Sequence, residues 1–177
     1  MQYLGHYTSP LGGITLGSDG ESLIGLWFDG EKFFCDKITE DTEERELPVF
    51  DTTRRWLDVY FSGRAPDFTP PLKEIGSDFQ LAVWQILRTI PFGHTVTYGD
   101  IAGRIARQRG LARMSAQAVG GAVGHNSISI IVPCHRVVGA NGSLTGYAGG
   151  VDKKQKLLTL EGVDMSRLFV PRRGTAL

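Results

Sequence analysis

The stretch Ile131-Val132-Pro133-Cys134-His135-Arg136-Val137-Val138 decides how the chain is read, because it sets a thiol, an imidazole and a guanidinium side by side after an apolar run. Pro133 has no amide hydrogen and pushes Val132 toward extended backbone, so the run Ile128 to Val132 is expected to stop pairing there, leaving Cys134 at a strand end. A thiol is a good nucleophile only as thiolate, a form that an adjacent imidazole or cation favours. His135 and Arg136 are both candidates. Neighbouring side chains diverge on regular backbone, so Cys134 and His135 can cooperate only across an irregular turn or through a bridging water. Free cysteines in apolar runs are also common as inert core.

Working outward, 177 residues with 41% hydrophobic content suffice for one ordinary domain or two small ones. No apolar run approaches the roughly 18 residues a membrane span needs. Met1-Gln2-Tyr3 lacks the basic start and apolar core of a signal peptide, so a cytoplasmic protein is expected. Cys35 and Cys134 show no CxxC or CxxH spacing, which disfavours a disulfide framework and a metal site. The formal charge is zero, yet acids outnumber bases fourteen to seven through Glu74, and bases outnumber acids twelve to five from Ile75 onward. A basic second half suits a polyanion, although such imbalance also arises without one.

Along the first half, short apolar runs alternate with turn residues: Tyr3-Leu4, Ser9-Pro10-Leu11-Gly12-Gly13, Ile14-Thr15-Leu16, Leu23 to Phe28, Asp29-Gly30. This spacing predicts a meander of about three strands. Residues 36 to 48 are mostly charged and read as a solvated loop. Phe50, Thr53, Trp56, Leu57, Tyr60 and Phe61 recur at helical spacing, with Gly63 as a stop. The expected first domain is therefore a small α/β scaffold over residues 1–74, with a proline-bearing linker at about 64–75.

A second domain, 76–177, should open with a helix capped by Ser77 or Asp78, with Phe79, Val83, Ile86, Leu87 and Ile90 inward and Trp84 in the core. Thr97 and Ser115 can cap two further helices joined through Arg107 to Arg113. This spacing fits a helix-turn-helix with Arg104, Arg107, Arg109 and Arg113 available to phosphates, or else an ordinary αα-hairpin. Ala116, Ala118, Gly120, Gly121, Ala122 and Gly124 leave the second of these helices almost without side chains. Each glycine costs about 1 kcal/mol of helix stability relative to alanine, which points to close approach by something else.

Pro-Cys-His-Arg-Val at 133–137, Thr145-Gly146-Tyr147-Ala148-Gly149-Gly150 and Leu157-Leu158-Thr159-Leu160-Glu161-Gly162 together resemble the O6-alkylguanine-DNA alkyltransferase family, over about Phe79 to Gly162. The first seventy or so residues resemble that family's N-terminal domain only in size and layout. The resemblance implies an α/β protein: a small sheet-plus-helix domain, then a mainly helical domain with a winged-helix-like helix-turn-helix and an active-site strand or turn. It implies DNA repair by stoichiometric, irreversible transfer of an alkyl group from O6 of guanine, or O4 of thymine, to Cys134, without metal or cofactor. Under it His135 deprotonates Cys134 through a water and Glu161 orients the imidazole. Tyr98 crowds the target phosphate and bonds the purine, while Asn126 ties the recognition helix to the active-site strand. Guanine is read by the carbonyls of Cys134 and Val137, by Tyr147 and by the amide of Ala148. A monomer would meet duplex DNA in the minor groove through Gln117, Ala118, Gly121, Arg113 and Arg136. Gln117 stands where most members carry an arginine that fills the gap left by the flipped base, and the helix-turn-helix connection is about five residues longer. The alternative is a non-catalytic protein that recognises alkyl lesions, a class that replaces the cysteine.

Overall fold

The computed structural model describes residues 1–172, so residues 173–177 of the expected second domain lie outside the described residues. The chain forms two compact units. One comprises Met1–Ile75 together with Ser127–Ile131; the other comprises Gly76–Asn126 and the described chain from Val132 to Arg172.

In the first unit β1 (Gln2–Ser9), β2 (Gly12–Ser18) and β3 (Leu23–Phe28) make the antiparallel meander that the turn spacing predicts. The charged stretch 36–48 departs from expectation by supplying a fourth strand. This strand, β4 (Thr42–Glu44), runs parallel to β1 and gives the order β3-β2-β1-β4. A short edge strand keeps charged side chains in water, so it leaves no apolar alternation to read. At the opposite edge β3 is buried throughout and its backbone is met by two isolated bridges, Leu23 with Leu72 and Leu26 with Ile128. Leu23 N–H donates to the Pro71 carbonyl at 2.8 Å, so the end of the proline-bearing stretch is bound rather than free. Helix α1 (Pro48–Phe61) starts on a proline whose missing N–H is no loss in the first turn, and it buries Phe50, Thr53, Trp56, Leu57 and Tyr60.

The second unit opens with α2 (Asp78–Leu87), which begins on a reciprocal pair: Gln80 N–H donates to the Ser77 hydroxyl and Ser77 N–H to the Gln80 side chain. Thr97 and Asp100 start α3 (Tyr98–Arg109) in the same way. Helix α3 ends at Gly110, whose φ of 65° lets Leu111 N–H reach back to the Ala106 carbonyl at 2.8 Å. Helix α4 (Ala116–Gly124), capped by Ser115, packs against α2 and α3. Trp84 is buried there, its indole N–H donating to the Ala122 carbonyl at 2.8 Å. Two short parallel strands, β5 (Val96–Thr97) and β6 (Val137–Val138), bring the start of α3 beside the chain that follows Cys134. Helix α5 (Val151–Leu160) adds Leu158 to a small apolar cluster with Val138 and Leu144. Among the described residues no helix is long and apolar enough to cross a membrane.

Candidate active site

The run Ile128 to Val132 does not form the expected strand. Ile128 alone bridges, and Ile130 then takes a φ of 71°, with Ile131 N–H donating to the Ser129 carbonyl at 2.8 Å. A positive φ is costly for a β-branched residue and ends any ladder at that point. Pro133, at φ −85° and ψ 67°, centres a second tight turn in which Cys134 N–H donates to the Val132 carbonyl at 2.8 Å. Cys134–Arg136 is a single 3-10 turn, so Cys134 and His135 leave an irregular backbone about 120° apart instead of flanking a strand end. Asn126 and Val132 are the points at which the chain leaves and re-enters the second unit. The Asn126 amide joins them, donating to the Val132 carbonyl at 2.8 Å.

Glu161 is the hub of the site. It is the residue on which α5 ends, and its carboxylate is buried. Oε2 accepts from His135 Nε2 at 2.5 Å and from Arg136 Nη2 at 3.3 Å; Oε1 accepts from Arg136 Nε at 2.8 Å and from Gly93 N–H at 2.9 Å. Burial alone would raise its pKa, but the hydrogen bonds and charges of His135 and Arg136 outweigh that and hold it at about 2. His135 is fully enclosed, and desolvation lowers its pKa against the upward pull of Glu161. An ionised carboxylate only accepts, so Nε2 carries the hydrogen and the lone pair of neutral His135 is at Nδ1. Arg136 belongs to this cluster. Arg136, expected among the DNA-binding residues, is instead turned inward, 8% exposed with its guanidinium on Glu161 and on the Ile90 carbonyl.

Cys134, Asn126, Val123, Gly124, Gly146, Tyr147 and Ala148 line a small cleft, which brings the thiol together with two of the residues expected to read a base. Val137 is buried in β6, immediately after the 3-10 turn. Tyr98 donates its hydroxyl to the Thr145 carbonyl at 3.1 Å, and burial, with a contribution from Cys134, pushes its pKa up to about 12. Lys154 is a member of the site that the sequence reading missed. Its side chain is fully buried, its Nζ bonds the Thr145 carbonyl at 2.9 Å, and it interacts electrostatically with Cys134. Burial lowers its pKa to about 8. The signal was present in spacing: Lys154, Leu157, Leu158 and Glu161 fall at i, i+3, i+4 and i+7 on one helix face. Among the described residues no group of three His, Cys, Asp or Glu side chains could hold a metal ion.

The outward side of α4 carries Ala116, Gln117 and Ala118, all exposed, and half-buried Gly121. A Cβ added at Gly121 would meet nothing within 4 Å, so the protein's own packing does not explain that glycine. Arg107 and Arg113 are exposed; Arg104 bonds the Thr89 hydroxyl, and Arg109 lies over the Phe79 ring at 5.4 Å. No Asp or Glu occurs between Asp100 and Asp152.

Comparison with known proteins covers both units. Residues 78–163 match the family model for the DNA binding domain of 6-O-methylguanine DNA methyltransferase, and residues 2–73 match that for its ribonuclease-like domain. A methylated-DNA–protein-cysteine methyltransferase of Haemophilus influenzae is 42% identical over 162 residues, 91% of this chain and 87% of that protein. One from Mycolicibacterium paratuberculosis is 53% identical over 153 residues, 86% of this chain and 88% of that protein. The crystal structure of Mycobacterium tuberculosis OGT in complex with DNA superposes with a TM-score of 0.79 at 39% identity, covering 94% of each chain.

Proposed function

Since the chain belongs to the 6-O-methylguanine DNA methyltransferase family, a group that repairs DNA by alkyl transfer to a protein cysteine, we propose that Cys134 is its alkyl acceptor and that His135, Glu161 and Lys154 prepare the thiol. The observation that carries the assignment is a cysteine facing a cleft beside a buried imidazole whose far nitrogen is held by a carboxylate. His135 Nδ1 takes the thiol proton through a bridging water, and the Lys154 ammonium stabilises the sulfur charge that appears. The thiolate attacks the alkyl carbon, the new C–S bond forms as the C–O6 bond breaks, and the electron pair stays on the purine. The departing guanine takes up a proton. The thioether does not hydrolyse, so each molecule reacts once.

A stacked base is out of reach of Sγ, so the nucleotide must swing into the cleft, where Tyr147, the Ala148 amide and the Cys134 and Val137 carbonyls read its edge. Tyr98 crowds the phosphate that turns with it. The exposed small face of α4 suits the minor groove, only about 6 Å wide, with Gln117, Ala118 and Gly121 against DNA and Arg113 at a phosphate. One thiol serves one lesion and nothing in the reaction asks for a second copy, so the protein acts as a monomer. Two free cysteines fit a cytoplasmic setting.

The test is peptide mass mapping after reaction with a duplex containing O6-methylguanine, with chelator present. The expected product is one methyl per molecule, on Cys134. A methyl on Cys35, repeated turnover or a requirement for zinc overturns the assignment. Lesion binding without any transfer would favour the non-catalytic alternative.

A further inference from the structure

Arg136 follows the base directly in sequence, yet it turns inward. Its Nε and Nη2 each take one oxygen of Glu161, and Nη1 is fixed on the Ile90 carbonyl at 2.6 Å. The Phe92 ring lies 5.9 Å from the guanidinium carbon. The carboxylate is thus held between a permanent cation on one side and an imidazole on the other.

That arrangement decides which proton state of the imidazole is stable. A buried carboxylate whose only charged neighbour is a histidine draws a proton onto the ring, because the desolvated negative charge needs a counter-charge. An imidazolium has no lone pair and cannot accept a thiol proton. Where a guanidinium already neutralises the carboxylate, the charges balance with the ring neutral. Among the described residues, Lys154, a second cation, also opposes imidazolium, and the Tyr147 ring lies 6.5 Å away edge-on. Cys134 itself becomes anionic only after the proton has moved. Among the described residues Glu161 is therefore the standing charge that favours protonation of the ring, and Arg136 compensates it.

We propose that Arg136 is a positioning residue for alkyl transfer: by clamping both oxygens of Glu161 it keeps His135 neutral, with the Nδ1 lone pair ready for the thiol proton. The proposal rests on the reading of His135 as the base. It also accounts for a guanidinium at this position, since a planar fork can hold two carboxylate oxygens while a third nitrogen bonds a carbonyl.

The experiment is single-turnover transfer from an O6-methylguanine duplex between about pH 5 and pH 9, the range in which a perturbed histidine titrates. The proteins compared are the parent, His135→Ala, Arg136→Met and Arg136→Lys. The acid limb of the parent profile should vanish in His135→Ala. In Arg136→Met it should move to higher pH by roughly one pH unit, the lower end for loss of a nearby charge, so that the rate on that limb falls about tenfold relative to the variant's own plateau. In Arg136→Lys, which keeps the charge, it should stay close to the parent's. A merely structural role would lower the plateau without moving the limb, and an unmoved limb in Arg136→Met overturns the proposal while leaving His135 as the base. A limb that survives in His135→Ala overturns the base assignment and the proposal together. A second measurement needs no variant: imidazole nitrogen shifts of the parent near pH 7 should be those of the neutral Nε2–H tautomer, and an imidazolium there overturns the proposal.

Discussion

A carboxylate at the C-terminal end of a helix faces the negative end of the macrodipole, which makes Glu161 at the end of α5 an unfavourable placement unless something compensates. His135, Arg136 and the Gly93 amide supply that compensation, and they fix the direction in which the imidazole points. His135→Ala should slow alkyl transfer by roughly 10²- to 10⁴-fold, the usual worth of a general base, with lesion binding largely kept, and Glu161→Gln should cost no more. Single-turnover rates beside binding isotherms check both; a parental rate for His135→Ala near pH 7 would remove the relay. Lys154 makes a separate prediction. Its ammonium loses its proton through about pH 8, so its help to the thiolate is complete below that pH and fades above it. Lys154→Met should therefore slow transfer at least roughly tenfold near neutrality, the effect of removing one nearby charge, with the deficit narrowing as pH rises past 8. A deficit that is constant with pH would mean that Lys154 serves only the carbonyls it bonds.

At the scale of elements, α4 gives up helix stability for a slim outer surface. Because a Cβ at Gly121 would meet open space, Gly121→Ala should stabilise the free protein by up to about 1 kcal/mol in urea unfolding, whereas Gly121→Leu should fold yet bind duplex more weakly. Equal duplex affinity for parent and Gly121→Leu would place the DNA elsewhere. Gln117 lies exposed in the first turn of the same helix. Gln117→Arg should tighten duplex binding and steepen its salt dependence by up to about 0.9 in log-log slope, if the added charge neutralises one phosphate. Reaction with free O6-benzylguanine, which needs no flipping, should stay nearly unchanged. An unaltered salt slope would show that position 117 is not at the DNA surface.

For the whole molecule, the buried charges set how stability varies with pH. The Glu161 carboxyl is depressed from its ordinary value of 4.5 to about 2, so the stabilisation it brings is complete above about pH 4.5 and is lost as pH falls toward 2. Lys154 is depressed from 10.5 to about 8, so the folded state releases its proton first and stability tied to this group rises between those values. Urea midpoints across pH should show both trends, the acid one absent in Glu161→Gln and the alkaline one absent in Lys154→Met.

The sequence by itself determined most of the elements and the family, because both rest on local signals. Turn residues delimited the meander, Ser77 and Thr97 marked helix starts by capping, and Pro-Cys-His-Arg-Val with the downstream Glu161 carried the family. Tertiary structure decided what depends on partners distant in the chain. It made a charged stretch into β4 by pairing it with β1, and it broke the run before Cys134 at Ile130, whose φ of 71° ends the pairing that Ile128 begins with Leu26, against the β propensity of the residues. It also turned Arg136 inward onto Glu161 and buried Lys154 beside Cys134. An arginine or lysine reads as a surface residue until the fold brings a carboxylate, a carbonyl or a thiol near enough to repay its desolvation.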